Sequence, residues 1–327
     1  MIEQTSSEAA IAAPPEKPAG ARFGDRVADL VAARHSQLVL GLDPDPARLW
    51  PRAAELASAG QGPPADRAAR AVSAHCALAI EAVGEQCVAV KLQLACFERL
   101  GAPGWAALAE VSERARGAGL LVIADGKRGD IDVSASAYAQ ALLSGTPTVY
   151  GPVAGLGADA ITVSPLLGSD SLRPFVAAAR ERGSGVFVLV RTSNPGAADL
   201  QELQLALGGT VSDRLAKLVA QLGAPAVGKG GLSDVGAVVG ATAPEHLSGL
   251  RELMPHAVFL LPGIGAQGGR VEDLAAAFDP GPAGGLLSAS RSIVGAYERL
   301  GGEPADAARL EAQRLRELGW TLAARRS

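Results

Sequence analysis

The chain has little of what a membrane, a secreted scaffold or a nucleic acid demands. No apolar run in its 327 residues approaches the roughly 18 that a membrane helix needs. Residues 1–20 lack the basic start and apolar centre of a secretory signal. A soluble, cytoplasmic protein without a membrane partner is the expectation. Cysteine is scarce, and Cys76, Cys87 and Cys96 are odd in number with no Cys-x-x-Cys spacing, so they read as reduced, structural thiols. The four histidines, His35, His75, His246 and His256, lack metal-ligand spacing and read as surface or packing residues. A formal charge of −4, with no basic cluster interleaved with aromatics, offers nucleic acid no general attraction. Any phosphate bound here should belong to a small ligand.

What the chain does have is apolar content, 48%, enough for one large core. Its length suits a single (β/α)₈ TIM barrel with insertions, two ordinary domains being the arithmetic alternative. Residues 1–21, rich in Ala, Pro, Glu and Ser without periodicity, read as a disordered tail. Residues 22–327 read as one barrel domain. In it, short β-rich apolar runs alternate with Ala-rich amphipathic stretches, the pattern of repeated βα units on a parallel sheet. Eight strands are predicted, at 38–43, 87–93, 120–127, 160–165, 185–192, 235–242, 256–263 and 285–290. Eight strands close a barrel, whose active site assembles at the carboxyl ends. Asp43, Lys91, Asp125, Lys127, Ser164, Ser193, Gly263 and Arg291 all fall there. Two loops are long for such units, 144–158 and 193–209, and the second suits a lid.

The most informative segment closes the third strand: the apolar run Leu120-Leu121-Val122-Ile123 leads into Ala124-Asp125-Gly126-Lys127-Arg128-Gly129-Asp130-Ile131. Asp125 and Lys127 are two apart, so in a strand they point to one face; Asp130 lies beyond, where the chain must turn toward a helix. Lys91 ends the preceding strand, about 4.8 Å away if the two are neighbours. Lys, Asp, Lys and Asp are thus candidates for one alternating array. Asp130 is also a candidate cap for the helix starting near Ile131, a task Asp132 can fill instead.

The Asp-x-Lys-x-x-Asp-Ile pattern at 125–131, with Val90-Lys91-Leu92-Gln93 one strand earlier, resembles the orotidine 5′-phosphate decarboxylase family, and within it the longer bacterial branch. The likeness recurs in order over about residues 22–300, at Gly41-Leu42-Asp43-Pro44, Phe97-Glu98-Arg99-Leu100-Gly101, Thr162-Val163-Ser164-Pro165, Arg191-Thr192-Ser193-Asn194-Pro195-Gly196, the segment from Pro262 to Gly269, and Ser290-Arg291. It implies decarboxylation of orotidine 5′-monophosphate to uridine 5′-monophosphate by a homodimer with shared active sites, Asp130 reaching into the partner's site. By the same resemblance Asp43 takes a ribose hydroxyl, a duty shared with Lys91. One of Thr192, Ser193 and Asn194 reads the pyrimidine edge, and Gln267 and Arg291 grip the phosphate beside Gly265. Ser290 stands where shorter members carry Gly.

The chemistry imposes its own demands. Loss of CO₂ from C6 of a pyrimidine leaves a carbanion in the ring plane, outside the π system, and no residue pattern suggests a cofactor to act as an electron sink. A fixed cation must stand beside that carbon and then protonate it, and Lys127 is the candidate for both roles. Asp125 would crowd the substrate carboxylate, while Lys91 and Asp130 hold the array in register. One electrostatic donor contributes about 3–4 kcal/mol, against barrier reductions of about 8–23 kcal/mol. The remainder requires binding energy from remote groups, above all the phosphate. The segment Gly263-Ile264-Gly265-Ala266-Gln267-Gly268-Gly269 can bring amides to an anion, and Arg291 follows the eighth strand, where barrel enzymes hold phosphate.

Magnesium-dependent sugar-phosphate relatives, the first alternative, place an acidic ligand where this chain has Lys91. A barrel that has lost catalysis, the second, is disfavoured because all four array residues are present. Residues 223–229 fit most of a nucleotide-binding P-loop, yet Gly230 stands where Ser or Thr belongs, and the segment is set aside.

Overall fold

The computed structural model describes residues 22–58 and 61–325, so the tail expected at 1–21 lies outside the described residues. Eight parallel strands form a closed barrel in sequence order: β1 Leu38–Leu42, β2 Ala89–Gln93, β3 Leu121–Arg128, β4 Ala160–Val163, β5 Gly185–Arg191, β6 Val235–Val239, β7 Phe259–Pro262 and β8 Gly285–Ala289. Seven lie inside the predicted spans, and β3 overruns its span by one residue.

The strands are apolar on both faces because both faces are buried. Outward residues such as Leu38, Leu40, Leu42, Val90 and Leu92 pack against the surrounding helices. Inward residues such as Val39, Ala89, Ile123, Phe187, Leu260 and Leu286 fill the amino-terminal half of the barrel. The helix Phe23–Arg34 closes that end, Phe23 standing edge-on to Phe187 with ring centroids 5.8 Å apart. Burial of one such phenyl side chain contributes about 1.5–3 kcal/mol. Gly185 permits the contact, since a Cβ there would lie 2.3 Å from the Phe23 ring. The P-loop-like stretch lies at this same end, with the Val227 carbonyl accepting from Arg22 and the Gly230 amide donating to Asp25. It takes no part in the site described below.

Toward the carboxyl ends the inward positions turn polar: Lys91 and Gln93 on β2, Asp125 and Lys127 on β3, Thr162 on β4, Ser288 on β8. Parallel register sets Gly41 beside Lys91 and Gln93 beside Asp125. One irregularity matters. Between the pairs Ala124–Ile161 and Arg128–Val163, β3 advances four residues while β4 advances two. The excess is taken up by a bulge in which Lys127 has φ +46°, the left-handed region that L-residues other than Asn and Asp rarely adopt. Simple strand parity predicts one face for Asp125 and Lys127; the bulge decides how far Lys127 leans into the mouth.

Cys76, Cys87 and Cys96 are unpaired, and burial pushes the Cys87 thiol up to about 12. His75 is buried, and its Nδ1 accepts the Trp50 amide at 3.1 Å; burial holds its pKa at about 4, as befits a neutral packing residue.

Candidate active site

A cavity of about 500 Å³ opens at the carboxyl ends of the strands. Asp43, Lys91, Asp125, Lys127, Thr192, Ser193, Asn194, Gln267 and Arg291, all expected site residues, line it. Its centre is the Asp125 carboxylate, on a residue only 4% exposed. Oδ2 accepts from Lys91 Nζ at 2.7 Å and from Gln93 Nε2 at 3.3 Å. Oδ1 accepts from Lys127 Nζ at 2.7 Å and from the Thr162 hydroxyl at 2.8 Å. A carboxylate offers about four acceptor sites, and here four donors, two of them ammonium groups, converge on it.

Burial opposes the charge on Asp125, but Lys91 and Lys127 outweigh it and hold its pKa at about 2. Burial likewise opposes the charge on Lys91, 7% exposed, yet Asp125 and Asp43 more than offset this and raise its pKa. Asp43 Oδ1 lies 3.9 Å from Lys91 Nζ, so Lys91 bridges Asp43 to the array. Lys127 is the exposed end: its side chain is 44% exposed and faces the cavity.

Asp130 does not join the other three within the chain. Its Oδ1 accepts the Ile131 amide at 2.8 Å, and it does not line the cavity. Nor does either expected cap form: the helix Asp132–Ala139 has Ile131 at its N-cap with no side-chain cap bond, because Asp132, at φ +44°, is already its first residue.

Across the barrel, the glycine-rich loop after β7 differs from expectation in one respect. The amides of Gly265, Ala266, Gly268 and Gly269 donate to the loop's own carbonyls, those of Gly269, Ile264, Gly265 and Gly263. Left-handed glycines at 263, 265 and 268 fold the loop back on itself, so these four amides are spent within it. Gly265 shapes the turn rather than lining the cavity: a Cβ there would come within 2.9 Å of Ser292. The side chains of Gln267 and Arg291 face the cavity instead. Ser290 also lines it, in space left by Gly41, where a Cβ would meet Ser290 Cβ at 2.7 Å.

At the end of β5 the Thr192 hydroxyl donates to Asn194 Oδ1 at 2.7 Å, and the Thr192 amide donates to Gln201 Oε1 at 2.8 Å. Arg191 donates to Glu202 Oε1 at 2.7 Å. Gln201 and Glu202 thereby pin the 193–209 segment, which contains the short helix Ala197–Leu200, against the strand end.

Sequence reasoning named Ser164 as a possible pocket residue, but Thr162 takes the position, and Gln93 and Gln201 were not singled out. Strand parity was the available signal for two of them: Gln93 shares its face with Lys91, and Thr162 is the one polar residue within the apolar run of β4.

Eight parallel strands with a charged array at their carboxyl ends define a (β/α)₈-barrel enzyme. The chain belongs to the orotidine 5′-phosphate decarboxylase / HUMPS family, whose model matches residues 36–301. It is 47% identical over 234 residues to orotidine 5′-phosphate decarboxylase of Rhodopirellula baltica, covering 72% of this chain and 76% of that one. The Deinococcus radiodurans relative of the same name is 44% identical over 272 residues, 83% and 88% of the two chains. The solved OMP decarboxylase of Leishmania donovani superposes with a TM-score of 0.65 at 34% identity, covering 91% of this chain and 99% of its own. Membership supports decarboxylation of orotidine 5′-monophosphate in pyrimidine biosynthesis as the reaction of this enzyme.

Proposed function

We propose that the decarboxylation runs through Lys127, with Asp125, Lys91 and a partner subunit's copy of Asp130 completing the array. The C6–carboxylate bond breaks, CO₂ leaves, and the electron pair stays on C6 in the ring plane. The Lys127 ammonium balances that developing charge and then transfers its proton to C6, giving uridine 5′-monophosphate. Asp125, kept ionised by four donors, faces the substrate carboxylate with like charge that is relieved as CO₂ departs. Gln267 and Arg291 take the phosphate on the far wall, Asp43 and Lys91 a ribose hydroxyl, and the Thr192–Asn194 turn the pyrimidine edge, the 193–209 segment closing over them. The Thr192 hydroxyl donates to Asn194 Oδ1 and so orients that amide, whose NH₂ is suited to face the base.

The observation that carries this reading is the Asp125 carboxylate clamped between two ammonium groups, one of them facing the cavity. It also disfavours a divalent ion at Asp125, which could reach that carboxylate only by displacing Lys91 or Lys127. Among the described residues no cluster of acidic, His or Cys side chains is arranged to hold a metal.

Three further features belong to the same reading: one catalytic domain over 22–327, a cytoplasmic location and a homodimer. No described helix is long and apolar enough to cross a membrane. Large apolar side chains stand exposed after β3 and β4, among them Ile131, Val133, Tyr150 and Leu166. Such a surface beside Asp130 is suited to a second copy.

The test is the fall in ultraviolet absorbance when purified protein meets orotidine 5′-monophosphate in the presence of chelator. Rapid loss of the orotate signal is expected. Silence from a folded protein that still binds uridine monophosphate would overturn the reading in favour of a non-catalytic binding protein.

A further inference from the structure

Thr162 is 1% exposed on β4, and its hydroxyl sits between the Lys127 backbone amide and the Asp125 carboxylate. The backbone amide of Lys127 donates to Thr162 Oγ1 at 2.9 Å. An amide can only donate, so the hydroxyl must direct its own proton elsewhere, and it points to Asp125 Oδ1 at 2.8 Å. Lys127 Nζ donates to that same oxygen at 2.7 Å. The bonds close a ring: Lys127 amide, Thr162 hydroxyl, Asp125 carboxylate, Lys127 ammonium.

From this geometry we propose that Thr162 is a positioning residue for the proton donor, holding Lys127 by its backbone and sharing the oxygen that binds its ammonium. Two consequences follow. The left-handed backbone of Lys127 costs about 1–2 kcal/mol, and the Thr162 oxygen is the acceptor that holds its amide in that conformation. Secondly, Thr162 supplies Asp125 Oδ1 with a neutral donor, so the carboxylate stays ionised while the ammonium swings toward substrate. Without that donor the same oxygen would depend on Lys127 alone and hold it back. Valine has nearly the shape of threonine but no hydroxyl, whereas serine retains the hydroxyl and loses the methyl.

The inference rests on Lys127 as proton donor, and three variants separate the two claims: Thr162→Val, Thr162→Ser and Lys127→Ala, each assayed for kcat, KM and calorimetric affinity for uridine monophosphate. Thr162→Val should lower kcat about 10- to 100-fold, the worth of one hydrogen bond to a charged group. KM and product affinity should stay near those of the parent, and Thr162→Ser should recover most of the turnover. Parental turnover in Thr162→Val would overturn the proposal. So would equal losses in the valine and serine variants, or a fall in product affinity matching the fall in kcat, either of which marks general packing. Turnover by Lys127→Ala would instead refute the donor assignment beneath it.

Discussion

Replacing Lys127 by glycine and by alanine separates its chemistry from its backbone. Both variants lose the ammonium group and its bond to Asp125, which keeps Lys91, Gln93 and Thr162 as donors, so the two differ almost entirely at the main chain. Elsewhere alanine is the more stabilising choice, because glycine gives the unfolded chain about 0.4–1 kcal/mol of extra conformational freedom. At φ +46° the preference reverses, since a Cβ in the left-handed region costs about 1–2 kcal/mol. The difference leaves Lys127→Gly more stable than Lys127→Ala by roughly 1 kcal/mol. An unfolding entropy of about 2.1 cal/mol/K per residue over 327 residues is roughly 0.7 kcal/mol/K, so the melting midpoints should differ by about 1.5 °C. Scanning calorimetry at matched protein concentration reads this, with urea midpoints as a second measure. Neither variant should decarboxylate substrate. An alanine variant as stable as the glycine one would refute the left-handed bulge, and with it the way Lys127 reaches the cavity.

Other outcomes follow from the same geometry. Arg291→Ala should raise KM for orotidine 5′-monophosphate by about 10- to 100-fold, the loss of one charge-assisted contact, and steady-state kinetics with an unchanged KM would remove Arg291 from the phosphate site. If Asp130 completes a partner's site, inactive Asp130→Ala and Lys91→Ala proteins should recover part of their activity when mixed under subunit exchange; confirmed heterodimers that stay inactive would place each site within one chain. Asp125 has a folded pKa of about 2, below its unfolded value, so its stabilising contribution is present above about pH 4 and lost as pH falls toward 2. That contribution is roughly 2–3 kcal/mol, so urea midpoints of the parent and Asp125→Asn should converge over this window, and parallel curves would contradict the clamped carboxylate. Lys91, with its pKa raised, works in the opposite sense: its contribution holds below about pH 10 and fades as pH climbs through the folded value.

The sequence by itself determined the barrel and most of the cleft. Alternating apolar strands and amphipathic helices mark a parallel α/β fold, eight such units are the number that closes a barrel, and the active site of a barrel assembles at the carboxyl ends of its strands, so Asp43, Lys91, Asp125 and Arg291 were legible there. Local pattern could not say what each charge touches. The bulge that turns Lys127 left-handed arises from the register between β3 and β4, strands whose pairing residues lie more than thirty positions apart. Thr162 looked like one small polar residue in an apolar run until that register set its hydroxyl against Asp125. The inward folding of the glycine loop at 263–269 likewise depends on which carbonyls its amides find in three dimensions. Sequence fixes composition and period along the chain, whereas hydrogen-bond partners across strands are settled only when the barrel closes and brings distant donors and acceptors to within 3 Å.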